Sequence, residues 1–323
     1  MYFTPSSIID FSMSNELLLW IGFHIFILIM LALDIGVFHR KAHVISVKEA
    51  LWWSAFWIGL ACIFAMGIWF YRSTVQATEF MTAYVVEKSL SVDNLFIFLT
   101  IFSYFKVPEK YQHKVLFWGV LGALIMRAFF IVVGVAILAK FHFIIYILGA
   151  FLVFTGFKLF FSKDDVEFKP ESSWTLKFVR RFFGVSKHYQ EDKFIVRKMG
   201  YTFVTPLFMV LALVETTDLV FALDSIPAVL AVSPDPFIVY TSNIFAILGL
   251  RSLYFALAGV VGLFHYLNYG LAIILSFIGV KMIISGMYKI PIESALLFVL
   301  VILLASVVIS LLFPKKSNSE SPA

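Results

Sequence analysis

The sequence predicts an all-α polytopic membrane protein, and three observations carry that prediction. Of 323 residues, 61% are hydrophobic and 14% charged, with a mean hydropathy of +0.96, whereas a soluble domain is about a quarter charged. The apolar residues fall in runs of about twenty or more, the length needed to cross a hydrocarbon core of about 30 Å. Lysines and arginines gather in a few of the intervening loops, so the net charge of +5 reports topology rather than a nucleic-acid partner.

Taken in order, the runs predict nine spans, at 17–38, 49–71, 80–105, 114–139, 142–161, 201–232, 236–262, 267–288 and 291–313. They divide the chain into an N-terminal pair of spans (1–79), a three-span unit (80–161), a loop (162–200), a second three-span unit (201–288), and a last span with its tail (289–323). Residues 1–16 lack a basic region, and the first apolar run is too long for a signal peptide, so that span is read as retained. Arg40, Lys41 and Lys48 follow the first span, Lys106, Lys110 and Lys114 follow the third, and the 162–200 loop is the most basic of all; the opposite loops hold Arg72, Lys140 and Lys289. The positive-inside rule then puts the N-terminus outside and the C-terminus in the cytoplasm. Within the loop, Trp174-Thr-Leu-Lys-Phe-Val-Arg-Arg-Phe-Phe reads as a basic amphipathic helix on the lipid surface, in a segment that connects the two halves. The polar tail after Pro314 is expected to be disordered. Cys62 is the one cysteine, which rules out an intramolecular disulfide and speaks against dithiol redox chemistry.

Acids placed mid-span carry the functional argument. Glu215, Asp218 and Asp224 lie inside the 201–232 run, and Glu87 and Asp93 inside 80–105. A carboxylate at that depth costs several kcal/mol, so each marks a candidate site. Asp93-Asn94 corresponds to Asp224-Ser225, with Glu87 and Asp218 each six positions earlier. Arg127 and Arg251 follow in the next spans, and Tyr146 with Lys158 matches Tyr269 with Lys281 at equal spacing. Polar residues recurring in one order predict a three-helix repeat. An odd number of spans makes the copies inverted, as in secondary transporters with midplane sites.

Acids six apart point about 120° apart on a helix. Either each acidic helix is central and touched from two sides, or it is broken between the acids; Pro227 favours a break and leaves the Leu223 carbonyl without its helical donor. Glu215 and Asp218 share a face. Carboxylates with the neutral oxygens of Asn94 and Ser225 make a hard-oxygen set suited to Mg²⁺, Ca²⁺ or Mn²⁺. Lys88, Arg127 and Arg251 are candidate charge partners for the excess acids, either holding spans together or gating. Asp34, at the end of the first span, reads as interfacial, and Lys158 and Lys281 as snorkelling residues.

Glu-Lys-Ser-Leu-Ser-Val-Asp-Asn-Leu-Phe at 87–96 and Glu-Thr-Thr-Asp-Leu-Val-Phe-Ala-Leu-Asp-Ser-Ile-Pro-Ala at 215–228 resemble the signatures of the TerC/Alx membrane-protein family, as do the stretches 235–251 and 33–38. The resemblance covers nearly the whole chain. It implies a manganese exporter of the bacterial inner membrane, related to lysine-exporter-like cation transporters, in a family named for tellurium resistance whose Alx branch has been called a redox modulator. It carries the acidic positions onto Glu87, Asp93, Asn94, Glu215, Asp218 and Asp224. The expectation is a transporter rather than an enzyme, with lipid and a divalent cation as partners and no permanently bound cofactor. The alternatives are a membrane redox modulator or a scaffold of a tellurium-resistance system.

Overall fold

The structure, a computed structural model, describes residues 5–36, 46–141, 143–161, 173–186, 188–198, 201–258 and 266–312, apart from the side chains of 5–15, 33–36, Asp93 and Ala139. The tail after Pro314 lies outside these residues. Two compact units emerge, 1–44 and 45–323. The first holds helix α1 (Pro5–Gly36). The second holds α2 (Val47–Tyr71), α3 (Thr74–Tyr104), α4 (Glu109–Lys140), α5 (Ile144–Phe161), α6 (Trp174–Phe182), strands β1 (Gly184–Val185), β2 (Ile195–Lys198) and β3 (Tyr201–Val204), then α7 (Pro206–Leu230), α8 (Pro236–Leu248), α9 (Leu250–Ala258), α10 (Leu267–Ile284) and α11 (Ile292–Leu312).

The chain is an all-α polytopic membrane protein. Among the described residues, 7 segments are long and apolar enough to span: α2, α4, α5, α7, α8 with α9, α10 and α11. That is two fewer than expected, for identifiable reasons. In α1 the described apolar stretch, Glu16–Ala32, is too short to qualify. Helix α3 carries Glu79, Glu87, Lys88 and Asp93 along its length, too many charges for an apolar span by composition.

Local chemistry sets the boundaries. Ser46 and Ser73 cap α2 and α3, their hydroxyls accepting from Glu49 and Gln76 N–H groups at 3.2 and 3.1 Å. Asp235 does the same for α8, accepting from Phe237 N–H at 2.8 Å, with Pro236 at the first helical position, where no N–H is needed. The expected span 201–232 does not begin as a helix. Tyr201–Val204 pairs antiparallel with β2 and parallel with β1, and the helix starts only at Pro206. The expected connector thus folds in part as a small sheet. It is pinned to the ends of α3 and α4: the Tyr189 hydroxyl donates to the Phe105 carbonyl at 2.8 Å, and Lys114 meets Asp192 at 2.7 Å. The Lys114 ammonium holds the Asp192 carboxyl below the usual carboxylate range.

Helix packing is reciprocal: α3 lies on α8 and α4 on α7, while α3 crosses α7 and α5 crosses α10. Small residues make the last crossing possible. A Cβ on Gly279 would stand 2.6 Å from the Gly149 carbonyl oxygen, and one on Gly156 would stand 2.7 Å from that of Ala272. One core cluster joins Ala83, Ile131, Ala222 and Val239, and another joins Val86, Leu152, Ala228, Ile274 and Val299. Large apolar side chains such as Ile125, Phe129, Phe154 and Leu304 face outward, as a lipid solvent requires.

Backbone against backbone leaves the α5–α10 crossing no slack. Gly279→Ala should cost about 1–3 kcal/mol by overpacking and lower the melting temperature of the purified protein. Gly67→Ala, where a Cβ meets nothing within 4 Å, should leave it unchanged. Equal melting of the two variants would contradict the crossing.

Candidate functional site

At the middle of the bundle, each of four helices contributes polar side chains to one point. Arg127 of α4 is fully buried, as are Glu87 of α3 and Asn243 of α8, while Asp218 and Ser225 of α7 are nearly so. One terminal nitrogen of Arg127 donates to Glu87 Oε1, to Asn243 Oδ1 at 2.8 Å and to Ser225 Oγ at 3.4 Å. The other reaches Asp218 Oδ1 at 3.5 Å. Depth follows from helix length: Glu87 is about 20 Å from the start of α3 and Arg127 about 27 Å from the start of α4, in helices of about 46 and 48 Å.

One guanidinium cannot neutralise two carboxylates, and it does not use up their oxygens. Glu87 Oε2 and Asp218 Oδ2 are buried with no hydrogen-bond partner. Unspent acceptors at that depth are costly unless something else supplies positive charge or protons.

Next to this cluster is a cavity of about 180 Å³, walled by Asn94 of α3, Thr155 and Lys158 of α5, Asp224 and Ser225 of α7, and leucines of α3, α5 and α10. The Thr155 hydroxyl donates to Asp224 Oδ1 at 3.4 Å, a long bond that leaves the carboxylate mostly uncommitted. Ser225 belongs to both places, bonded to Arg127 and lining the cavity. Asn94 and Asp224-Ser225, whose places correspond in the expected repeat, thus line one space.

The predicted residues do not all converge. Glu215 lies one turn from Asp218 and fills the place where a Cβ on Gly122 of α4 would stand. Lys88 turns away toward α8, its ammonium donating to the Ala246 carbonyl at 3.2 Å. That carbonyl sits at the break between α8 and α9 at Gly249, where the expected span 236–262 is interrupted. Arg251 walls a second, small cavity with Asp218 and lies over the Phe117 ring, 5.9 Å from its centroid. Asp93 occupies its position on α3, and Asp34 lies on α1 in the other unit; their side chains are outside the description. Among the described residues, no three His, Cys, Asp or Glu side chains are grouped to hold a metal ion.

One expectation needs correction. Helix α7 is continuous from Pro206 to Leu230 with Pro227 inside it, so the acids are reached from two sides of a central helix rather than across a break. The neighbours explain why: α3 and α4 pack on α7 along its length and hold it together despite the missing N–H. Lys158, an exposed residue in the last turn of α5, also lines the Asp224 cavity. The sequence reading missed Asn243 and Thr155. The signal for Asn243 was its run, Thr241-Ser242-Asn243, all fully buried and polar within an apolar span.

Comparison with known proteins follows the same residues. The family model described as "Integral membrane protein TerC family" matches residues 72–318. An uncharacterised membrane protein of Myxococcus xanthus is 51% identical over 94% of this chain and 96% of its own length. A protein of Escherichia coli strain K12, provisionally named a membrane-bound redox modulator, Alx, is 45% identical over 91% of this chain and 94% of its own. A Rickettsia bellii membrane protein is 41% identical over 91% and 97%. No solved structure matches the chain.

Removing the cation at the centre should be severe. Arg127→Met strands Glu87 and Asp218 without their partner, and breaking a buried pair in this way costs about 3–5 kcal/mol. The amount of folded protein recovered in size-exclusion chromatography should fall sharply, while Lys114→Met, at an exposed pair with Asp192, should change it little. Normal recovery of Arg127→Met would remove the structural role of the pair.

Proposed function

Because this chain belongs to the TerC family of integral membrane proteins, we propose that it is a secondary transporter exporting a divalent metal cation, Mn²⁺, across a bacterial inner membrane. One observation carries this reading: buried carboxylate oxygens without partners, on Glu87 and Asp218, belong to a cluster that Ser225 joins, through its bond with Arg127, to a cavity lined by Asp224, Asn94 and Ser225 itself. The oxygens are hard donors and their charge is negative, which suits a cation of the Mg²⁺, Ca²⁺ and Mn²⁺ class. The choice of Mn²⁺ rests on the family resemblance.

In this reading Asp224, Asn94 and Ser225 contact the cation from the cavity, Glu87 and Asp218 supply field from the centre, and Asp93 belongs to the same set by its place in the repeat. Arg127 is a fixed counter-charge that offsets one of the central acids. The excess acids carry protons when the metal leaves, coupling export to proton entry. The reciprocal packing of α3, α4 and α5 with α7, α8–α9 and α10 supports two inverted three-helix units that rock about α3 and α7. The basic loops face the cytoplasm with the C-terminus, and the N-terminus is outside; reporters fused at residue 2 and after residue 314 should register opposite compartments, and a shared compartment would remove the inverted arrangement. The redox reading draws on the relatives' name, and Cys62, the one cysteine, offers it no dithiol pair.

The site predicts a separation between variants. Asp93→Asn and Asp224→Asn should each abolish Mn²⁺ efflux from loaded cells or vesicles while the amount of folded protein stays normal. Each removes charge that offsets ion dehydration, a loss of several kcal/mol in a low-dielectric site, and every 1.4 kcal/mol is tenfold in affinity. Glu87→Gln and Asp218→Asn should instead reduce folded protein, because both acids hold Arg127. Wild-type efflux by both aspartate variants would sink the proposal.

A further inference from the structure

We infer that α6 is a binding surface for anionic lipid headgroups at the basic end of the bundle. The helix has three faces. Thr175, Leu176 and Val179 are buried on the side that packs on α7, where the Thr175 hydroxyl donates to that of Thr216 at 3.1 Å. Trp174, Phe178 and Phe182 follow one another at successive turns, all exposed, with ring centroids 5.3 and 4.6 Å apart. Lys177, Arg180 and Arg181 are also exposed, and the helix has no acid. At about 100° per residue the basic stripe lies about 100° around the helix from the aromatic one, and neither falls on the buried face.

The level of α6 follows from its neighbours. Asp224 shares a cavity with Lys158, and α5 ends at Phe161, about one turn farther on. Thr216 lies about 12 Å along α7 from Asp224 toward the same end. Helix α6 therefore runs alongside the first half of α7, from Thr175 beside Thr216 to Phe183 beside Phe208, toward the sheet tied to the ends of α3 and α4, and so enters the region where hydrocarbon gives way to headgroups. An aqueous helix has no use for three outward rings, and a helix in hydrocarbon has none for three cations beside them. An interface accommodates both: the rings enter the acyl boundary and the cations stay among the headgroups. Each Lys or Arg beside an anionic leaflet contributes about fivefold in affinity, so three of them select negatively charged lipid over zwitterionic lipid.

The test uses the full chain reconstituted in phosphatidylcholine vesicles containing brominated phosphatidylglycerol or brominated phosphatidylcholine at equal mole fraction. Quenching of Trp174 is read as the difference between wild type and W174F. Phosphatidylglycerol should quench several-fold more effectively, and K177Q/R180Q/R181Q should cut that preference by about fivefold or more without moving the melting temperature. Equal quenching by both lipids, or a preference surviving in the triple variant, overturns headgroup selection. Quenching by neither, as when a second copy or another protein covers the rings, overturns the lipid assignment. The measurement involves no manganese flux, so it stands apart from the transport proposal.

Discussion

The constraint on which the rest of the bundle depends is the burial of one guanidinium between carboxylates from two other helices. An Arg without a partner at that depth would not be tolerated, and neither would Glu87 or Asp218. The bonds from Arg127 to Glu87, Asp218, Ser225 and Asn243 therefore fix the rotation of α3, α4, α7 and α8 about their own axes. Dispersion alone would let apolar helices in lipid slip past one another, since lipid tails are as apolar as their side chains. Here the slip is blocked, because any rotation exposes a charge to hydrocarbon.

The outer helices follow a different rule. Helices α5 and α10 carry few polar groups at their crossing and rely on close approach, with Gly149, Gly156 and Gly279 removing the side chains that would hold the backbones apart. Tight apolar contact on one side and directional polar contact on the other leave the Asp224 cavity between them. Its leucine walls come from α3, α5 and α10, its acid from α7. Neither rule closes that space: its polar lining is paired only by the long Thr155–Asp224 bond at 3.4 Å, apart from Ser225 with Arg127.

Sequence alone revealed the acids and arginines, because a charge within an apolar run is conspicuous whatever its partner. It did not reveal which charge met which. Arg127 and Asp218 are 91 positions apart, and Arg127 and Asn243 are 116 apart, so their meeting depends on how four helices cross. Asn243 was overlooked because a neutral amide interrupts hydropathy less than a carboxylate does. Strand β3 was absorbed into a span for the opposite reason: Tyr201-Thr-Phe-Val is as apolar as the helix it precedes, and only Pro206 with its missing N–H marks where the helix begins. The kink at Gly249 left no trace in hydropathy either. Its role becomes visible only when Lys88 is found beside it, bonded to the Ala246 carbonyl.

The small sheet changes how the two halves can move. Its segment continues directly into α7, yet Tyr189 and Asp192 tie it to the ends of α3 and α4. At the opposite end, the partly buried pair of Arg72, at the end of α2, with Asp235 at the start of α8 is supported by Gln76 of α3 at 2.9 Å and by Ser233 with Glu79 at 2.6 Å. One end is thus stitched by the chain itself together with an exposed ion pair, and the other is clasped by a partly buried ion pair and hydrogen bonds alone. In the proposed rocking of the halves, resistance is unequal: the stitched end is the fulcrum and the clasped end the jaw.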